Sequence, residues 1–120
     1  MKPNSSLFDP ASAGVISLAG NTQFSPQGIV SRALVNTPAL RVTLFGFAEG
    51  QELTEHASSS RAIIQVLSGK SEWTVAGARM EIAAGEVLHM PPGTRHAVRA
   101  NEPFSMLLTL VKEGASTRDE

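Results

Sequence analysis

Hydrophobic and polar residues alternate along most of this chain, and glycines and prolines cut the alternation into short pieces. Side chains of neighbouring strand residues point to opposite faces, so a period of two marks a half-buried strand. From Gly28 onward the pieces read as strands at Ile29–Val35, Leu40–Phe47, Ala62–Leu67, Glu72–Ala76, Arg79–Ile82, Val87–Met90, His96–Arg99 and Phe104–Val111. Between them stand turn signals such as Asn36-Thr37-Pro38, Ser68-Gly69-Lys70, Ala84-Gly85 and Pro91-Pro92-Gly93. Short strands punctuated in this way predict an all-β sandwich or barrel. A Ser/Ala/Gly/Pro-rich stretch around Leu7 to Gly20 reads as an arm with one short strand at Val15–Leu18. The expected organisation is an N-terminal arm over residues 1–27, a barrel over 28–112 and a flexible tail over 113–120.

The same alternation assigns faces. In Thr94-Arg95-His96-Ala97-Val98-Arg99 the two arginines share one side, so His96 and Val98 share the other. An outward Glu86 predicts that Val87 and His89 point inward, and the charges of Arg79-Met80-Glu81-Ile82 put Met80 inside. Glu55 beside His56 turns His56 inward as well, which leaves Glu52 awkwardly on the same face, near the rim. Trp73, on the face opposite Lys70, Glu72 and Thr74, reads as core or pocket wall. Phe104, Met106, Leu108 and Leu110 form a stripe that is core first and ligand contact second. The stretch Ala62-Ile63-Ile64-Gln65-Val66-Leu67 is apolar on both faces, so the arm or a second subunit is expected to cover its outer side.

Composition narrows the chemistry. The chain has 120 residues, enough for one domain, and no cysteine, so it has no disulfide, thiol nucleophile or cysteine-held zinc. A net charge of −1 argues against a broad basic surface for nucleic acid. No apolar run approaches the ~20 residues that span a bilayer, and the opening Met1-Lys2-Pro3-Asn4-Ser5-Ser6 lacks a signal-like apolar stretch. A cytoplasmic protein is the expectation. All three histidines, His56, His89 and His96, are expected inside one barrel. Three imidazoles with open positions would suit Zn, Ni, Cu or Fe; the plainer alternative is that they are hydrogen-bonded pocket residues.

Two segments resemble the paired signatures of the cupin superfamily. The first runs Gly, five residues, His-x-His, three or four residues, Glu, six residues, Gly; here Gly50, His56 and Gly69 match it. The second runs Gly, five residues, Pro-x-Gly, two residues, His; here Gly85, Pro91-Pro92-Gly93 and His96 match it. The resemblance is to small single-domain, RmlC-like cupins without assigned function, and it implies a double-stranded β-helix (jelly-roll) barrel and a homodimer. It also implies a metal held by two His and a Glu of the first signature and the His of the second. Ser58 and Ala62 stand where the second His and the Glu belong, so only His56 and His96 match the ligand set. His89 would restore a third nitrogen.

These readings converge on an apolar pocket lined by His56, His89, His96, Trp73, Met80 and Phe104. Its expected ligand is a small, partly apolar organic acid or carbonyl compound. The alternative is a divalent-metal enzyme, an oxygenase or isomerase, with His56, His89 and His96 as ligands. A closed, filled barrel with a structural role is the third possibility.

Overall fold

The computed structural model describes residues 6–113. One helical turn, α1 (Leu18–Asn21), precedes nine strands: β1 (Val30–Asn36), β2 (Leu40–Phe47), β3 (Glu52–His56), β4 (Arg61–Ser68), β5 (Lys70–Val75), β6 (Ala78–Ala83), β7 (Val87–Met90), β8 (His96–Arg99) and β9 (Phe104–Val111). They form a five-stranded sheet in the order β1-β2-β9-β4-β7 and a four-stranded sheet in the order β3-β8-β5-β6. All pairings are antiparallel. The chain crosses between sheets repeatedly, so β9 returns to lie between β2 and β4, as in a jelly roll. The all-β jelly-roll expectation holds.

The core lies between the sheets. Ala62, Ile64 and Val66 of β4 point inward beside Met106 of β9, and Trp73, Ile82 and Val98 close over them from the other sheet. At one end Phe47 and Phe104 stack with ring centroids 4.5 Å apart and are wholly buried. Gly69 ends β4 beside this pair at φ +74°, and a Cβ there would collide with the Pro103 carbonyl. Only glycine fits that corner.

Val15–Leu18 is not a strand. Ser17 caps α1 instead, its Oγ accepting from the Gly20 N–H at 2.9 Å. A Ser followed by small residues favours a cap over a ladder that has no neighbour to pair with. The arm lies along the five-stranded sheet: Leu7 and Phe8 N–H groups donate to the Ala33 and Leu34 carbonyls at 2.9 Å each. The Gln23 carbonyl passes directly over Gly46, where a Cβ would clash. The arm thus covers the outer side of β1 and β2, and Leu44 beneath it is 1% exposed. It stops short of the opposite margin, where Ile63 of β4 and Val87 of β7 stay exposed. Among the described residues, no helix is long and apolar enough to cross a membrane. Apart from Glu113, the expected tail lies outside the described residues.

Candidate functional site: a cavity between the sheets

Packing is incomplete at the end of the barrel away from the Phe47–Phe104 stack. A cavity of about 170 Å³ opens there. Phe45, Ala62, Ile64, Met90, Met106, Leu108 and Leu110 line it from the five-stranded sheet; Leu53, Trp73 and Val98 line it from the other. Its polar groups are His56, His96 and Ser58. Four larger depressions of about 240 to 430 Å³ lie elsewhere on the surface, and none of the four is lined by a histidine. The smaller one is where apolar walls and imidazoles converge, the usual make-up of a ligand site.

The two histidines meet across a strand pair. His56 of β3 is the register partner of His96 of β8, and their ring centroids lie 4.2 Å apart. The β3–β8 register shifts between Leu53 and His56. That bulge changes the facing of the strand, so Leu53 and His56 both reach the cavity. Glu52 is outside, paired with Arg99 at 3.2 Å, and its predicted rim position is corrected. Glu55 also faces out, paired with Arg95 at 2.6 Å. His96 is 9% exposed, whereas His56 lies at the open mouth. Each ring is anchored by backbone just before it: Nδ1 of His56 bonds the Thr54 carbonyl of β3 at 2.8 Å, and Nδ1 of His96 bonds the Thr94 carbonyl of the preceding loop at 2.9 Å.

The loop before β8 supports this arrangement. Gly93, at φ +85°, donates its N–H to the Ser58 carbonyl at 2.7 Å and ties the Pro91-Pro92-Gly93 turn to the β3–β4 loop. Ser58 Oγ accepts from the Ser60 N–H at 3.0 Å. Trp73 is 1% exposed, and its Nε1 donates to Ser71 Oγ at 2.7 Å, which in turn donates to the Ile82 carbonyl at 2.9 Å. The indole is therefore fixed as wall and spends its donor internally.

Three other expected pocket residues lie elsewhere. His89 faces outward, where its Nε2 meets Arg61 Nη1 at 2.8 Å, and Arg61 also pairs with both carboxylate oxygens of Glu113, at 2.5 and 3.2 Å. Glu86 misled the face count because it belongs to the turn: its Oε1 accepts from the Ala83 N–H at 2.8 Å, and its own N–H donates back to the Ala83 carbonyl. The alternation of β7 begins only at Val87, so Met90 points inward and His89 outward. Met80 is 37% exposed: it lies opposite Trp73 but on edge strand β6, with no strand beyond to cover it. Phe104 is core, stacked on Phe47 beyond the cavity floor. Phe45, Leu53, Ser58, Ala62, Ile64, Met90 and Val98 line the cavity without having been expected there. No local signal marks Met90, because its facing depends on where the alternation of β7 starts, and the Glu86 turn hides that point.

The three-imidazole centre therefore does not form. Among the described residues, no group of three or more His, Cys, Asp or Glu side chains could hold a metal ion. Ser58 and Ala62 leave two neutral imidazoles, fewer protein ligands than mononuclear zinc or non-haem iron centres use. The donor set does not fit such a metal.

A two-sheet jelly roll with a cavity at one end, where His56 of β3 meets His96 of β8, is the architecture of the cupin class. The cupin domain family profile matches residues 43–111, and the chain belongs to the cupin family. A conserved protein of unknown function from Streptococcus pyogenes is similar at 33% identity and TM-score 0.80, over 95% of this chain and 100% of that one. A cupin 2 conserved barrel domain protein from Leptotrichia buccalis is 35% identical at TM-score 0.76, over 81% of this chain and 47% of that one. An RmlC-like cupin from Desulfovibrio desulfuricans is 28% identical at TM-score 0.76, over 84% and 98%. No curated protein matches the chain.

Proposed function

We propose that this cupin binds a small organic molecule in the cavity between its sheets, with His56 and His96 as the polar contacts. The observation that carries the reading is the convergence of two imidazoles on an otherwise apolar cavity of about 170 Å³. Cavities of roughly 150 Å³ take ligands the size of benzene, so the occupant has about six or seven heavy atoms. Trp73, the only tryptophan, lines the cavity and reports on its contents. Screening small fragments by Trp73 emission should find compounds that saturate in the wild type and fail in Ala62→Leu, whose added side chain occupies the space. Saturable binding that survives Ala62→Leu unchanged would place the site elsewhere.

We further propose that the chain is a homodimer, joined through the part of the five-stranded sheet that the arm leaves bare. Ile63 and Val87 there are 37% and 58% exposed. Sedimentation should give twice the chain mass for the wild type and a weakened dimer for Val87→Lys; a monomeric wild type would refute the proposal.

A further inference from the structure

We propose that the cavity selects uncharged ligands whose polar end donates hydrogen bonds, such as a primary amide or an alcohol on a short apolar body. The inference rests on the binding reading above and concerns which chemistry the site accepts. A backbone carbonyl can only accept. The contacts to the Thr54 and Thr94 carbonyls therefore make Nδ1 the protonated nitrogen of both His56 and His96. In a neutral imidazole the other nitrogen is then an acceptor. Both Nε2 atoms are thus lone pairs, and neither has a protein hydrogen bond among the described residues. His96 is 91% buried, by its 9% exposure, so its free acceptor is desolvated and costly to leave unmatched.

The surroundings offer little to an acid. No lysine or arginine lines the cavity. The nearby arginines are turned out and paired: Arg95 with Glu55, Arg99 with Glu52, and Arg61 with Glu113 and His89. The Trp73 donor is used on Ser71, which leaves the Ser58 hydroxyl as the one side chain lining the cavity that can donate to a ligand oxygen. A carboxylate or ketone would set its lone pairs against those of two imidazoles whose rings are 4.2 Å apart. A primary amide carries two N–H groups, one for each ring, and an alcohol carries one. This runs opposite to the organic acid or carbonyl compound expected from the sequence.

The test has two arms. Ring-nitrogen NMR of the ligand-free protein at about pH 8, where free imidazole is neutral, should show Nδ1 protonated and Nε2 bare in both His56 and His96. An Nε2-protonated tautomer at either ring would overturn the proposal. The second arm compares four probes of about six or seven non-hydrogen atoms: isovaleramide, isoamyl alcohol, isovalerate and methyl isobutyl ketone. The amide and alcohol should bind at least about tenfold tighter than the other two, because a buried acceptor left unmatched is penalised on that scale. The acid or ketone binding equally well would overturn the ligand class while leaving the cavity as the binding site. No perturbation of His56, His96 or Trp73 by any of the four would overturn both readings.

Discussion

At the residue scale, hydrogen-bond direction decides what the cavity can do. The two imidazoles differ from solvated ones because each is locked by the carbonyl of the residue two positions earlier, Thr54 within β3 and Thr94 in the loop before β8. A second residue-scale feature lies in the β5–β6 hairpin, where Ala76 holds φ +50° beside Gly77 at +85°. Both central residues have positive φ, the two-residue geometry that Asn-Gly fits best, and a Cβ of alanine is strained there. Ala76→Asn should raise the unfolding free energy by about 0.5–1 kcal/mol. A denaturant midpoint equal to or below the wild type would show that the strain is absent.

Charge adds a pH dependence. Glu72 is held below the usual carboxylate range, first by the Asn101 amide at 3.0 Å and then by Arg79. A carboxyl group whose folded pKa is depressed binds protons more weakly folded than unfolded. Its contribution is complete above the unfolded value and fades as pH falls through the folded one. Glu113 behaves alike, chiefly through its hydrogen bond with Arg61. Stability should therefore decline on acidification below the ordinary carboxylate range, and Glu72→Gln should flatten the decline. Equal slopes for the variant and the wild type would remove Glu72 from the account.

At the element scale, strands were legible where alternation ran unbroken. Leu40–Phe47, Val87–Met90, His96–Arg99 and Phe104–Val111 were predicted with the bounds the structure shows. Facing failed where a strand met a turn or a bulge. Glu86 belongs to the turn before β7, so counting from it inverted His89, and the β3 bulge hid Leu53 and freed Glu52. Neither feature has a composition signal, because a bulge depends on the partner strand's register. The coarse pattern resembled the cupin signatures because Gly50, Gly69, Gly85 and Gly93 all take positive φ at the corners.

The arm is an element whose role belongs to packing. We propose that residues 28–112 are the barrel domain and that the arm before it, described from residue 6, clamps its outer sheet. Deleting 1–27 would uncover Leu44, now 1% exposed, and Leu34, now 4% exposed. With each buried leucine contributing about 1.5–3 kcal/mol, the deletion should lower stability by about 3 kcal/mol or more. An unchanged melting profile would show that the arm only rests on the sheet.

At the scale of the whole molecule, one barrel has two unlike ends. The Phe47–Phe104 stack fills one, and Ala62, Leu53 and the histidine pair leave the other hollow. The alternation predicts all three histidines inside one barrel; the structure brings His56 and His96 together and leaves His89 outside with Arg61. It did not show the hollow, since volume left by small residues such as Ala62 depends on the spacing of two sheets. The losses at Ser58 and Ala62 are visible in the sequence, and the structure places both residues in the lining of a cavity whose donor set does not suit a metal.

The most direct test of that hollow needs no knowledge of the ligand. Crystals pressurised with xenon should show an atom bound among Ile64, Trp73 and Leu110 in the wild type, because xenon enters apolar cavities of this size. The same crystals of Ala62→Leu should show it lost. A wild-type barrel that admits no xenon, or a variant that binds it undiminished, would contradict the account.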